Sequence, residues 1–372
     1  MNNQIKILAL IPYKVFPPNM GGQRAIVLFY RSLCKLTSLT AFTIKDNQSV
    51  EDFKIIPSIS NSKFRYINPF LFFQLKKKAQ QNNATHILFE HPYYAWLIFL
   101  INHFTIFKTI IHSHNIESER FKSIGKPWWR ILWHYEKWAY KNADMIWFIT
   151  EYDKQYAIEK YHVLENKAVV IPYGTALNEL PTENELLLSK QFVQEKHNIK
   201  EDEHILLFNG ALGYKPNLEA VLSIVEKINP ILLASNYKYK IIICGKGLPT
   251  SMNELKEYQD KNIIYAGFVD DIDVYFKACD IFINPLNHGG GIKTKLVEAL
   301  GFGKYAVSTK NGAIGVSEKF TEGRLKIVDD NDWIHFSHEI IHSKLMRNSN
   351  QLFYNNYSWD TISKKALDSI LL

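Results

Sequence analysis

A chain of 372 residues that is 47% hydrophobic and 22% charged can bury the cores of two ordinary domains, and this composition excludes overall disorder. Its formal net charge of +7 suits a partner carrying phosphate, without choosing among a nucleotide, an anionic lipid and a nucleic acid. Cys34, Cys244 and Cys279 are too few and too scattered for a disulfide framework or a zinc site, so a reducing cytoplasm is expected.

The first residues lack the basic start and the small-residue cleavage site of a signal peptide and read as a strand. Short Ile- and Val-rich runs then alternate with helix-like segments, the mark of a parallel sheet covered by helices. Strands are expected over 5–11, 39–44, 64–67, 86–89, 109–112, 145–149 and 169–171. Helices fall between them at 22–36, 70–81, 94–104, 128–141 and 152–162. The most apolar stretch, 93–111, is interrupted by Asn102, His103 and Lys108, leaving less than the roughly 18 apolar residues a membrane span needs. A soluble chain is therefore expected.

Pro172-Tyr173-Gly174 is a turn signal, and a polar, acidic stretch follows over 178–202. The alternation then restarts. Strands are expected at 205–209, 240–244, 263–268, 281–284 and 305–308, and helices at 217–234, 252–259, 273–278 and 294–302. The fold class is thus α/β, two Rossmann-like doubly wound domains facing a cleft, over 1–174 and 175–357. In the remainder, 358–372, Ile362, Ala366 and Ile370 recur at helical spacing, and this helix could pack on either domain.

The richest segment runs from Pro285 to Leu300, leaving a buried strand and opening a helix. Gly289, Gly290 and Gly291 permit positive φ and close backbone approach. Ile292 and Lys293 lead into a helix start, whose N–H groups and dipole favour an anion, and Lys293 and Lys295 add positive charge there. Together they form a diphosphate cradle. Glu298 follows Thr294 by one turn, where a carboxylate can accept both hydroxyls of a ribose. A glycine loop followed by a solvated Lys/Glu face is the plainer alternative.

Nearer the N-terminus, Gly21 and Gly22 open a helix after Pro17-Pro18-Asn19-Met20 and could offer amides to a phosphate or sugar, with Gln23 and Arg24 as added donors; a plain turn explains them equally well. His112 and His114 end a strand, a position that faces the ligand crevice in this topology. Glu117 and Glu119 could be acceptor-side bases, but capping of a helix start is the stronger reading. Asp271-Ile272-Asp273 has the form of a metal-binding DxD, yet it precedes a helix and reads better as a cap. Trp128, Trp129, Trp133 and Trp138 share a helix with Arg130, Lys137 and Lys141. That mixture suits peripheral contact with an anionic membrane, though aromatics at helical spacing more often serve a core.

In order and spacing, Gly210-x4-Lys215-Pro216-Asn217, Cys244-Gly245-Lys246-Gly247, Ala266-Gly267-Phe268-Val269-Asp270-Asp271 and Gly289-Gly290-Gly291-Ile292-Lys293-x-Lys295-x2-Glu298-Ala299-x3-Gly303 resemble the C-terminal domain of family-four glycosyltransferases of the GT-B fold. The Gly21-Gly22 pair, the His112-x-His114-Asn115-x-Glu117 segment and Ile171-Pro172-Tyr173-Gly174 extend the resemblance over nearly the whole chain. It implies retaining transfer of a sugar from a nucleotide-sugar donor to a polysaccharide or lipid-linked glycan, in the cytoplasm or at the inner face of its membrane. It implies no metal and no other cofactor: amides, a helix dipole and lysines stabilise the leaving diphosphate. Lys215 would contact the donor phosphates, and Gly245 and Gly247 would lie by the nucleoside. Phe268 and Val269 would flank the base through their backbone, with the Phe268 side chain expected in the core. His114 would stand near the reacting sugar.

Many members of that family carry two glutamates flanking seven residues. The second matches Glu298, but the first would fall at Gly290, whose amide, with that of Gly291, could take over its contact. A GT-B nucleotide-sugar epimerase and a catalytically silent nucleotide-sugar-binding subunit are the alternatives. The glycine loop, two lysines and Glu298 match the transferase pattern better. No nucleic-acid module is present and the lysines are spread out, so nucleic acid is not an expected partner.

Overall fold

The computed structural model describes residues 5–18, 21–344 and 349–371. Two compact units divide the chain: unit 1 comprises Met1–Gly174 with Trp359–Leu372, and unit 2 comprises Thr175–Ser358.

Unit 1 holds seven strands: β1 (Lys6–Ile11), β2 (Ser38–Ile44), β3 (Lys54–Ile59), β4 (His86–Glu90), β5 (Lys108–Ser113), β6 (Met145–Phe148) and β7 (Ala168–Val170). They form one parallel sheet in the order β3-β2-β1-β4-β5-β6-β7. Its helices are α1 (Gly21–Cys34), α2 (Phe70–Gln81), α3 (Ala95–Phe104), α4 (Glu117–Ser123), α5 (Trp129–Asn142) and α6 (Glu151–Tyr156). The central strands are buried almost throughout because helices cover both faces, which is why they read as unbroken apolar runs. The C-terminal helix over Trp359–Ser369 joins this unit: Trp359 packs on Phe29, and Ser32 Oγ donates to Asp360 at 2.8 Å.

Unit 2 continues with α7 (Glu183–His197), β8 (His204–Asn209), α8 (Lys215–Ser223), α9 (Asn229–Leu233), β9 (Tyr239–Cys244), β10 (Ile263–Gly267), α10 (Ile272–Ala278), β11 (Ile281–Asn284), α11 (Thr294–Gly301), β12 (Tyr305–Thr309), β13 (Leu325–Val328), α12 (Trp333–Ile341) and α13 (Gln351–Tyr357). Its six strands are parallel in the order β10-β9-β8-β11-β12-β13. In each unit the chain reverses its direction of crossover beside its first strand, between β1 and β4 and between β8 and β11. The loops leaving those strands therefore part and leave a crevice at the carboxyl edge.

The structure corrects several expectations. Residues 64–67 are not a strand: Lys63–Tyr66 form a 3₁₀ turn, and the strand lies earlier, at β3. β3 contains Pro57 and is largely exposed, as an edge position tolerates. The polar stretch 178–202 contains α7, started by a capping box in which Thr182 and Glu185 satisfy each other's backbone amides. β13, α12 and α13 lie where no element was expected. The segment 252–259 is a kinked 3₁₀ run with Asn253, Glu254 and Leu255 at positive φ, and a π turn over Ile224–Ile228 separates α8 from α9.

Asp271 caps α10, accepting the Asp273 amide at 2.9 Å. Glu117 and Glu119 are not caps. The amides of Glu117 and Ser118, which open α4, donate to the carboxylate of Glu136 on α5 at 2.8 and 3.1 Å. Tyr161 and Tyr140 hydroxyls donate to the same buried carboxylate at 2.7 and 3.1 Å. On α5, Trp133 packs against the core, whereas Trp138 and, just before the helix, Trp128 stay substantially exposed.

Replacing Glu136 by Gln turns an acceptor oxygen into an amide donor facing buried donors. Glu136→Gln is expected to cost about 1–3 kcal/mol, the range for a buried polar group left unsatisfied. Hydrogen exchange should show the α4 amides losing protection first, and unchanged protection there would contradict the capping role.

Candidate active-site residues

In unit 2 the loop between β11 and α11 takes its shape from glycine. Gly289 and Gly291 have φ of 105° and 69°, which L side chains rarely adopt. Gly290 does not, and a Cβ built on it would meet nothing within 4 Å. The acidic residue missing at Gly290 is therefore a chemical choice, not one forced by backbone or packing. The Lys293 ammonium donates to the carbonyls of Gly289 and Gly291, both at 2.8 Å, and so fastens the loop. Lys295 pairs with Glu298 at 2.8 Å, within the first turns of α11. Ile292 packs on Gly315, where a Cβ would come within 2.9 Å of it. Both lysines thus have partners within this loop and helix, and the helix start itself supplies the polarised amides.

The loop after β8 lies beside this one, as the switch point requires: a Cβ on Gly289 would sit 3.5 Å from the Tyr214 hydroxyl. Lys215 opens α8 with its side chain 85% exposed and its ammonium 3.6 Å from Glu219. Gly245 belongs to a backbone-on-backbone contact between the loops after β8 and β9. A Cβ there would lie 1.8 Å from the Gly210 carbonyl oxygen, and one on Gly247 would lie 2.8 Å from the Gly213 nitrogen. These glycines answer first to close approach, which keeps both loops low at the sheet edge. The Phe268 side chain is not core as expected: it is 67% exposed, with the Lys246 ammonium 5.8 Å from its ring centroid, and Val269 beside it is half-buried.

Sequence reasoning passed over three residues here. Tyr214 touches the glycine loop. Asn209 at the end of β8 and Asn287 after β11 each bury a side-chain oxygen that has no hydrogen-bond partner among the described residues. Unsatisfied acceptors in that position suit a ligand's O–H or N–H groups. Asn at a strand end was the available signal.

In unit 1, Gly22 stands in the first turn of α1 with open space about it, and Gln23 donates to the Lys14 carbonyl. Gly21 is the first residue of that helix; Asn19 and Met20 of the preceding loop lie outside the described residues. The densest chemistry is at the ends of β4 and β5. Glu90 is buried, and its carboxylate accepts the Tyr30 hydroxyl at 2.6 Å, His112 Nδ1 at 3.2 Å and His114 Nε2 at 2.7 Å. Burial alone would raise its pKa, but His112 and His114 beside it outweigh that and hold it well below the carboxylate range. An ionised carboxylate only accepts, so both ring nitrogens facing it carry hydrogens. Burial, then the neighbouring His112, lowers the pKa of His114. A neutral His114 whose Nε2–H points at Glu90 keeps a lone pair on Nδ1.

His91 stacks on His114, with ring centroids 4.6 Å apart, and its Nδ1 lies 3.5 Å from Glu117. Glu117, held down to about 2 by His91 and Arg120 against the opposing effect of burial, also accepts the Tyr93 hydroxyl. Glu90, His112 and His114 bring one ligand atom each within 4.8 Å of one another, a spacing that could hold a metal, but the hydrogen bonds above already engage both oxygens of Glu90. Of this network, sequence reasoning had only His112, His114 and Glu117, and His91 was missed. Glu90 meets the histidines through the pairing of β4 with β5, and Tyr30 reaches it from α1, so neither carried a local signal.

Comparison with known proteins bears on the family and the fold. A family model described as Glycosyltransferase Family 4 matches residues 25–179, and one described as Glycosyl transferases group 1 matches 203–343. An uncharacterized 44.6 kDa protein in the cps region of Klebsiella pneumoniae is 28% identical over 175 residues, 44% of either chain, so the match spans less than half of that relative. A glycosyltransferase from Rickettsia africae superposes with a TM-score of 0.68 at 18% identity, covering 98% of this chain and 97% of that one. Sucrose-phosphate synthase from Thermosynechococcus elongatus does so with 0.71 at 14% identity, over 98% of each chain. An Anabaena protein, HepE, solved in complex with UDP, gives 0.68 at 13% identity, over 99% of this chain and 100% of that one. With a model matching within each unit and the fold shared end to end, the chain belongs to the GT-B glycosyltransferases of family four, group one.

Proposed function

We propose that this glycosyltransferase moves a sugar, with retention and without a bound metal, from a nucleotide-sugar donor to a polysaccharide or lipid-linked glycan. We place the reaction in the cytoplasm, at the inner face of its membrane. One observation carries the donor assignment: the glycine loop at the switch point of unit 2 meets the start of α11, with Lys215 across from it and Glu298 one turn into the helix. Positive charge and oriented amides fixed before reaction would stabilise the diphosphate as it leaves, at no reorganisation cost. Glu298 would exchange its Lys295 contact for the ribose hydroxyls, and exposed Phe268 could lie against the base. The Anabaena protein's complex with UDP and the Klebsiella protein's place in a cps region are consistent with this reading. No helix among the described residues is long and apolar enough to cross a membrane, so an acceptor held in one would be met from the surface.

On the acceptor side, His114 Nδ1 would accept a hydrogen bond from the incoming sugar hydroxyl. Glu90 fixes the tautomer that leaves this nitrogen bare, and the buried Tyr30 hydroxyl fixes Glu90.

Glu298→Ala should weaken donor binding by about 1.5–3 kcal/mol, the value of hydrogen bonds to a charged group. Calorimetry with UDP-sugars and GDP-sugars measures it, and unchanged affinity in a folded variant refutes the ribose assignment. His114→Ala should cut transfer by on the order of 10²-fold and leave donor affinity alone; equal loss of both would move His114 to the donor side. The acid behaviour follows from the lowered pKa values of His91 and His114. Their neutral forms stabilise the fold above the unfolded histidine value, near about 6.5, and this contribution is lost as pH falls through the lowered folded values. Melting temperature should therefore drop on acidification below that point. A double His91→Gln/His114→Gln variant should show a shallower drop, and an identical one would contradict the assignment.

A further inference from the structure

Unit 1 carries a cavity of about 320 Å³ between α4, α5 and α6. That is at the small end of ligand pockets, roughly 300–1,000 Å³, and suits a group the size of a monosaccharide phosphate. Its floor is a chain of hydrogen bonds. Trp133 Nε1–H donates to the Tyr156 hydroxyl at 3.1 Å, and that hydroxyl donates to Glu119 Oε1 at 3.1 Å. The other oxygen of Glu119 faces the Lys122 ammonium at 3.5 Å. Glu119, the one carboxylate among the described residues lining the cavity, is thus already engaged.

The walls carry two permanently cationic side chains. Lys122 and Arg130 flank Trp129, at 4.9 and 5.5 Å from its ring centroid, and His134 lines the same cavity. No acidic side chain faces Arg130 within ion-pair distance among the described residues. The first turn of α5, which supplies Trp129 and Arg130, contains no acidic residue and has no side-chain cap. An aromatic ring beside Arg130, which has no acidic partner among the described residues, and beside Lys122, whose only contact of that kind is the 3.5 Å one to Glu119, forms a surface for a sugar ring bearing an anion. The cavity is also tied to the histidine cluster. Glu117, which faces His91, is the first residue of α4, the same helix that supplies Glu119 and Lys122 to the cavity. Ile124, Trp128 and Ile131 stand exposed on the neighbouring surface.

From this arrangement we propose that the cavity between α4, α5 and α6 binds the phosphorylated sugar end of the acceptor while a hydroxyl of the same acceptor reaches His114. It rests on the transferase reading and assigns its acceptor class: a phosphosugar, either free or displayed on a lipid. The exposed apolar side chains beside the cavity would suit the lipid-borne form.

The full-length protein is titrated with glucose 1-phosphate, with methyl glucoside as the uncharged control, and separately sedimented with neutral phosphatidylcholine vesicles carrying a polyprenyl-phosphate sugar. UDP binding is measured in parallel. The phosphosugar in at least one form should bind in preference to its uncharged counterpart, and Lys122→Ala/Arg130→Ala should weaken it at least tenfold with UDP binding intact. Binding of glucose 1-phosphate identifies a free acceptor, and binding confined to the vesicles a lipid-borne one. Failure of both forms to bind, or equal binding by the double variant, overturns the assignment. If UDP and nucleotide sugars still bind in that event, the transferase reading survives; if they do not bind either, that reading fails as well.

Discussion

In a parallel sheet every strand ends at the same edge, so every loop that leaves a strand carries its chemistry there. A crevice opens only where the direction of crossover reverses. This chain meets that constraint twice. In unit 2 the reversal lies between β8 and β11, and the glycine loop, Tyr214 and Lys215 come from those two strands. In unit 1 it lies between β1 and β4, and Glu90 stands at the end of β4 with His112 on adjacent β5 and His114 just past its end. The order of the strands thus decides which residues can act together.

The two sites use electrostatics in opposite ways. Unit 2 presents a polarised, solvent-reachable loop. Its lysines are tethered, Lys293 to glycine carbonyls and Lys295 to Glu298, and Gly290 contributes no negative charge. Unit 1 buries its charges and satisfies them one by one. Glu90 has three donors, and Glu117 has Tyr93, Arg120 and His91 about it. Such a network sets tautomers and keeps imidazole neutral, whereas the loop in unit 2 is suited to grip an anion.

The legible part of the sequence was the part governed by local rules. Buried parallel strands read as apolar runs, and the passage from Asn284 through three glycines to α11 reads as strand, anion-binding turn and helix. β3 escaped because an exposed edge strand with Pro57 has neither alternation nor an apolar run. α7 escaped because it buries little beyond Val193, although its capping box, Thr182 with Glu185, was readable. Long-range chemistry was not legible. Glu136 reaches α4 from nineteen positions away, and Glu90 meets His112 and His114 only through the pairing of β4 with β5. Phe268 was misjudged because an aromatic residue at the end of an apolar strand normally turns inward, and here the strand stops at Gly267.

The account stands or falls on where a nucleotide diphosphate sits. A crystal structure of the protein with UDP or GDP should show the diphosphate oxygens within hydrogen-bond distance of backbone amides between Gly289 and Lys295, with Glu298 on the ribose hydroxyls. Diphosphate density elsewhere, or a Glu298 still paired to Lys295 and turned from the ribose, would contradict it.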